Sequence, residues 1–271
     1  MLLDQVKTLL RLLQNNYDAK EGFIDLSSLS WLYPLELLPL AALISDKSLD
    51  FIRPDEKALK YLEYFNFPEG LNKYQKQSTR YLPIYKFSAK TRDISASGVR
   101  SEIINNLIEI FVNRVGVYSG VKDALYLSVD EIIANIDEHS ISGTGWIHAQ
   151  YYPTKKFLDI CLVDTGVSIP GSFRNHSITF TNDTSAIIKA LNGVSVSKEK
   201  LRGAGMRTFV KMATSGLGGE AVIISGKGLI YANRKSTIPY NIRTVEWKGT
   251  IIGLRIPSRE GSLDYTKYIA S

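Results

Sequence analysis

Three polar side chains follow one another at helical spacing near the middle of the 271-residue chain. Glu131, Asn135 and His139 are four residues apart, so a helix would place them along one stripe. A carboxylate and a carboxamide one turn apart suit a hydrated Mg²⁺, which takes oxygen ligands and keeps several waters. The carboxylate can also orient or deprotonate a nucleophile. These residue types are equally common on a solvated helix face, so the stripe alone leaves both interpretations open.

Two strand patterns come directly after this helix. Residues 146–152 and 157–163 are apolar runs joined by Pro153-Thr-Lys-Lys, which indicates a hairpin. The second run leads into Asp164-Thr-Gly166. An Asp at the end of a buried strand can accept a hydrogen bond from an exocyclic amine, and a glycine after it lets a flat ring approach the backbone. Asp-Thr-Gly is also simply a favourable turn.

A polar segment and a glycine-spaced helix start come next. Residues 171–201 are rich in Ser, Thr and Asn, with one short helix expected near 186–191, and their composition predicts a mobile lid. Gly203-Ala-Gly205 then opens a helix, where free N–H groups favour an anion. The spacing matches neither the dinucleotide-binding fingerprint nor the phosphate-binding loop that ends in Gly-Lys.

Three further strands are expected over residues 220–225, 229–233 and 250–256, and Gly249-Thr250 opens the last of them. The order of these motifs over residues 97–257 resembles the GHKL ATPase superfamily, which includes gyrase, the mismatch-repair ATPase and the histidine-kinase catalytic domain. The resemblance implies a Bergerat-type α/β sandwich with a mixed, mostly antiparallel sheet. It is closest in pattern to the anti-sigma-factor serine kinases.

The resemblance also implies a role for each motif residue. Glu131 would be the general base, and Asn135 would ligate a Mg²⁺ that bridges the phosphates of ATP. Asp164 would accept from the adenine amine, supported through a water by Thr250. Gly166 would lie beneath the ring, Gly203 and Gly205 would cradle the phosphates, and His139 would approach them; the remaining nucleotide-binding positions are Ile169 and Met206. Ser168 departs from the family pattern, which has a second glycine there, and its side chain is expected to narrow the loop.

The first 95 residues are expected to form a smaller α/β domain, with a boundary near residue 95 and the ATP-binding domain over residues 96–271. Apolar positions predict an amphipathic helix over residues 2–16. Residues 20–70, with Ile24-Asp-Leu-Ser-Ser-Leu and Arg53-Pro-Asp-Glu, resemble a STAS domain, the α/β module of anti-sigma-factor antagonists. A generic α/β cap is the alternative.

Composition narrows the class of protein. Hydrophobic residues make up 44% and charged residues 22%, as in soluble globular proteins. No run is long enough to span a bilayer, the N-terminus lacks the plan of a signal peptide, and the lone Cys161 is expected to be a reduced core thiol. These features together predict a cytoplasmic protein.

The charge is uneven. The net charge is +6, and residues 171–271 hold 15 Lys and Arg against 6 Asp and Glu. Such a basic segment can face phosphates of a nucleotide or of nucleic acid. Because the lid and the phosphate side already account for these residues, we expect no nucleic-acid partner.

Two functions follow as hypotheses. In the first, Mg-ATP binds and Glu131 activates either water or a protein Ser/Thr hydroxyl. In the second, the chain is a non-catalytic, nucleotide-gated interaction module whose N-terminal domain or lid binds a protein partner. A histidine kinase is disfavoured, since no dimerisation helix with an acceptor histidine is evident among His139, His148 and His176.

Overall fold

The computed structural model describes residues 1–17, 22–73, 78–88, 94–116, 120–139, 144–196, 204–259, 264 and 266–269. The fold is α/β, as the sequence predicts. The strands of the described residues are β1 (Phe23–Asp25), β2 (Asp50–Ile52), β3 (Tyr81–Ser88), β4 (Thr144–Tyr152), β5 (Phe157–Asp164), β6 (Glu220–Gly226), β7 (Gly228–Asn233), β8 (Thr237–Asn241) and β9 (Trp247–Pro257). The helices are α1 (Leu2–Tyr17), α2 (Pro34–Lys47), α3 (Glu56–Tyr64), α4 (Ile94–Val115), α5 (Val121–His139), α6 (Ile169–Asn175), α7 (Asp183–Leu191), α8 (Ala204–Lys211), continued by a π-helical turn (Met212–Gly216), and α9 (Thr266–Ile269).

Seven strands of the described chain form one sheet in the order β3-β4-β5-β9-β6-β7-β8. Every neighbouring pair in this sheet is antiparallel. Among the described residues, parallel pairing occurs in the separate pair β1 and β2 and in one isolated bridge between Leu71 and Tyr85. Helix α2 connects β1 and β2, as a parallel pair requires, since such strands need a crossover.

Helices α4, α5, α7 and α8 cover one face of the large sheet and share a core with it. Ile132, Ile133 and Ile136 are only 3%, 4% and 6% exposed. The apolar face of α5 therefore packs inward. Helix α8 packs closely along α5, which brings the two polar motifs of these helices together.

Helices α1 and α2 cover the opposite face. All of residues 34–44 in α2 are buried, and α2 contacts β4, β5 and β9. A helix that is apolar on every side must be enclosed by other elements. Their core includes Leu37 together with Trp146, Val163 and Ile251 of the large sheet.

The expected boundary near residue 95 does not divide this hydrophobic core. Strand β3, from the first 95 residues, is the edge strand of the large sheet and pairs with β4. The N-terminal segment thus forms the second layer of the same sheet rather than an enclosed core of its own. The likeness of residues 20–70 to a STAS domain stays a prediction.

A buried ion pair lies between α1 and the sheet. The Arg255 guanidinium donates to both oxygens of Asp159, from Nε at 2.8 Å and from Nη2 at 2.7 Å. Gln5 of α1 reaches the same carboxylate at 3.4 Å. The backbone N–H of Leu2 donates to Glu220 at 2.6 Å. Polar contacts therefore hold α1 in place in addition to its apolar face. None of the described helices is long and apolar enough to cross a membrane.

Candidate ligand-binding site

A cavity opens on the face of the large sheet that α4, α5, α7 and α8 cover. It lies at the end of β5 and the beginning of β9. It encloses about 120 Å³, whereas a single water needs only about 10–15 Å³ of such space. It therefore has room for a flat ring rather than for one or two waters. Its walls are mostly apolar and come from α5, β5, α6, α7, α8 and β9; they include Ile132, Ile136, Val163, Phe173, Met206 and Ile252.

Asp164 supplies a carboxyl group to this cavity. It is the last residue of β5 and is 6% exposed. Oδ1 accepts from the backbone N–H of Gly166 at 2.9 Å, and Oδ2 accepts from that of Thr250 at 3.0 Å. Burial raises the pKa of the Asp164 carboxyl to about 7, although these hydrogen bonds act in the opposite direction. Each oxygen keeps acceptor capacity that a donor in the cavity can use.

The start of β9 lies directly against Asp164. A Cβ atom on Gly249 would lie 2.2 Å from the backbone oxygen of Asp164, so only glycine permits this approach. The indole Nε1 of Trp247 donates to the same oxygen at 2.9 Å. Gly249-Thr250 therefore matters because it brings the Thr250 amide to the Asp164 carboxyl.

Ser168 has a local structural role. Its hydroxyl accepts from the backbone N–H of Gly171 at 3.1 Å and caps α6. Helix α6 was not expected from the sequence, yet its residues Ser172 and Phe173 line the cavity. Ser168 thus lies at the start of a helix.

Glu131 and Gly205 meet where α5 and α8 cross. A Cβ atom on Gly205 would lie 2.6 Å from Glu131 Cβ and 2.7 Å from its Oε2. The absence of a side chain at Gly205 therefore lets the Glu131 carboxylate lie at the first turn of α8. Negative charge is favourable at that end of a helix.

Some predicted residues lie outside the described part of the chain. Gly203 is one of them. Asn135 and His139 lie on α5, but their side chains are outside the described part. Among the described residues, no group of three or more His, Cys, Asp or Glu could hold a metal ion. The Mg²⁺ ligand role of Asn135 accordingly stays a prediction.

The segment expected to be a mobile lid contains more helix than expected. Residues 171–196 include most of α6 and all of α7, and Ala186 and Ile187 are fully buried against the sheet. Capping explains why this polar segment is helical, since the Asn182 side chain accepts from Ser185 N at 2.9 Å. Among the described residues that follow α6 in this segment, only residues 190 and 194–196 line the cavity.

Ser225 of β6 contacts the start of β9, and the sequence analysis did not identify this residue. It is fully buried, and its hydroxyl donates to the Gly249 carbonyl at 2.7 Å. A serine inside the apolar run Ala-Val-Ile-Ile-Ser was the available signal, because a buried hydroxyl needs partners.

Four of the predicted binding residues line one cavity: Asp164, Ile169, Met206 and Thr250. Gly166 bonds to the carboxyl among them, and Glu131 with Gly205 forms a second pair on α5 and α8. Comparison of the chain with protein-family models, curated proteins and solved structures finds no match.

Proposed function

We propose that this chain is an Mg-ATP-binding regulatory protein with a GHKL-type site, which hydrolyses ATP or phosphorylates a protein Ser/Thr. One observation carries the proposal: the buried Asp164 carboxyl faces an apolar cavity while Gly166 and Thr250 hold both of its oxygens. A ring with an exocyclic amine would satisfy the acceptors, and the apolar walls would enclose its faces. Purine recognition suits this combination of one buried acceptor group and apolar walls.

The phosphates would lie toward Gly203 and Gly205, where α8 begins. Free N–H groups and the helix dipole attract anions at such an end. Asn135 would ligate Mg²⁺, which neutralises phosphate charge when bound. Glu131, which contacts Gly205, would accept the proton of the attacking water or hydroxyl.

Replacement of Asp164 by Asn tests the binding site. Asn keeps the shape but presents an amide in place of the carboxylate, so we expect affinity for a non-hydrolysable ATP analogue with Mg²⁺ to fall at least about tenfold. Isothermal titration calorimetry measures it. The matched control is Asp4→Asn. Asp4 is exposed in the first turn of α1 and does not line the cavity, so this variant should bind like the wild type. Wild-type protein that binds no nucleotide would contradict the proposal.

A second candidate is a non-catalytic, nucleotide-gated interaction module. Thr165, between Asp164 and Gly166, lines a small cavity on the other side of the turn. The ends of α1 and α2 close that cavity through Leu13 and Leu43. The turn beside the proposed adenine site thus faces the N-terminal helices across this small cavity. In this second candidate, a bound nucleotide would alter a surface that a protein partner recognises.

Replacement of Glu131 by Gln separates the two candidates. A general base contributes about 10²–10⁴-fold to a rate, so an enzyme should lose turnover or phosphotransfer by about that factor while still binding ATP. Steady-state ATPase assays measure turnover. Transfer of radiolabelled phosphate from ATP to the Ser and Thr residues of a protein mixture measures phosphotransfer. Wild-type protein that binds ATP with no turnover and no transfer favours the module, and unchanged rates in Glu131→Gln contradict the base assignment.

A further inference from the structure

The two edges of the large sheet differ in how their outer backbone groups are used. Strand β3 is one edge, and the chain segment between α3 and β3 covers it. Ile84 N–H donates to the Phe65 carbonyl at 3.1 Å, and the Ile84 carbonyl accepts from Leu71 N–H at 2.8 Å. Strand β8 is the other edge, and no further strand of the described residues pairs with its outer side. An open edge of this kind is a template on which another chain can add a strand.

The hydrogen bonds at both ends of the β7–β8 hairpin define which residues of β8 face outward. Asn233 N–H donates to the Ser236 carbonyl at 2.9 Å, and Ile242 N–H donates to the Lys227 carbonyl at 2.8 Å. Bonded and non-bonded residue pairs alternate in an antiparallel ladder. Every second residue, counted from Ser236, therefore directs its backbone groups to β7. The residues between them, with Pro239 in the middle, direct theirs away from the sheet.

Pro239 occupies the central outward-facing position of this edge. A proline has no N–H to donate, and its ring fills the space in which a pairing strand would approach. Two copies that paired their β8 strands antiparallel about a two-fold axis would place one Pro239 opposite the other. Shifting the register by two residues sets Pro239 against Thr237 or Asn241 instead. Larger shifts leave only the ends of this five-residue strand to pair.

Charged side chains at the ends of β8 also oppose pairing of two copies. Arg234 and Lys235 form the turn before the strand, Arg243 follows it, and all three are exposed. Antiparallel pairing would bring the basic turn of each copy beside the Arg243 of the other, and like charges placed opposite each other are destabilising. Glu246, the acidic residue nearest to Arg243 in the sequence, is a single negative charge against three positive ones.

We propose that Pro239, together with these charges, prevents the open β8 edge from pairing with the β8 edge of a second copy of this chain. Any association between copies then uses a different surface. The inference rests on the register of β7 and β8, and it does not depend on the proposed nucleotide binding.

The test replaces Pro239 by Thr and Arg243 by Glu in one variant. Threonine supplies the missing N–H and is common in strands, and the new carboxylate would attract the Lys235 turn of the other copy. Sedimentation velocity over a concentration series measures the mass. We expect this double variant to reach about twice the mass of the wild type, as a closed two-fold dimer requires. Arg243→Glu alone should keep the wild-type mass.

Two controls locate the new interface on β8. Pro153→Thr removes an exposed proline from the turn between β4 and β5 and should keep the wild-type mass. Thr237→Pro, added to the double variant, places a proline at another outward-facing position of β8. It should return the mass to that of the wild type, because it again removes an outward N–H without removing a bond to β7. Circular dichroism checks the fold of each variant.

Three results would overturn the inference. The first is a double variant that keeps the wild-type mass. The second is an increase in mass that Thr237→Pro leaves in place, since the new contact would then lie elsewhere. The third is a wild-type oligomer that Thr237→Pro alone dissociates, since that oligomer would already use β8. If Pro239→Thr does not fold, Pro239→Val replaces it, and the same results decide.

Discussion

Burial of the Asp164 carboxyl costs free energy that its two backbone hydrogen bonds offset only in part. Its pKa of about 7 expresses this balance, because desolvation outweighs the bonds from Gly166 and Thr250. A donor from a bound ligand would stabilise the ionised form further. The residue thus has the property expected of a recognition group, since it lacks part of its stabilisation until a ligand supplies it.

The raised pKa of Asp164 predicts a pH dependence of stability. Between about pH 4 and pH 7 the folded state holds this proton and the unfolded state does not, so folding gains stability as the pH falls through that window. In Asp164→Asn, the side chain at position 164 does not titrate. Relative to that variant, the wild-type free energy of unfolding should rise by at most about 1.4 kcal/mol for each pH unit by which the pH falls. Urea unfolding at pH 5, 6, 7 and 8 measures the difference.

Asp4→Asn provides the comparison for this experiment. The Asp4 carboxyl is exposed and its pKa is lowered by the N-terminal ammonium group. Because both groups of this ion pair are charged at pH 5 and pH 6, its substitution should shift the unfolding free energy by about the same amount at these two pH values. A difference between wild type and Asp164→Asn that is flat from pH 5 to pH 8 would show that the Asp164 carboxyl is ionised throughout.

At the scale of elements, the crossing of α5 and α8 brings the helix with the polar stripe to the glycine-spaced turn. Sequence periodicity predicts each helix separately, and a family resemblance predicts that Glu131 and Gly205 belong to one site. The structure supplies the physical contact: the Glu131 side chain occupies the space that a side chain at Gly205 would need. Helix α8 can approach α5 only while position 205 is glycine.

Gly205→Ala tests this contact. Because the new methyl group would lie 2.6 Å from Glu131 Cβ, which cannot rotate away, α8 must shift outward. We expect the free energy of unfolding to fall by about 1–3 kcal/mol, as overpacking usually costs. Gly171→Ala is the matched control in another helix start, where the nearest atom is Val167 Cγ1 at 3.0 Å and can move. Equal stability of the two variants in chemical denaturation would argue against a tight crossing.

Elements were predictable where their signal is local. The hairpin of β4 and β5 was predicted with its turn, because the two apolar runs and the Pro153 turn lie next to each other in the chain. Helix α6 and strand β8 were missed. Helix α6 has seven residues and depends on the Ser168 cap, while β8 has mostly exposed residues and forms only by pairing with β7.

At the scale of the whole molecule, the large sheet has a helical layer on each face. One layer carries the candidate site, and the other comes from the N-terminal segment. Strands β5 and β9 contribute side chains to both layers, since successive residues of a strand point to opposite faces.

Leu37→Ala tests whether the two layers fold as one unit. Leu37 is fully buried in α2, so its truncation should cost about 2–5 kcal/mol. Because the core is shared, circular dichroism and tryptophan fluorescence should report one common transition at lower denaturant concentration. Leu127→Ala, at an α5 leucine that is 59% exposed, should change stability by less than about 0.5 kcal/mol. Two separate transitions would instead support an independent N-terminal domain.

Order and periodicity along the chain were enough to predict several of the helices and the central hairpin and to suggest the candidate residues Glu131, Asp164, Gly205 and Thr250, because each signal lies within a few neighbouring residues. Three features required the three-dimensional fold: the N-terminal helices on the second face, the contact of Glu131 with Gly205, and the Ser225 hydroxyl between α6 and β9. Each joins residues that are far apart in the chain, and the choice among such contacts depends on how the whole core packs rather than on local propensity.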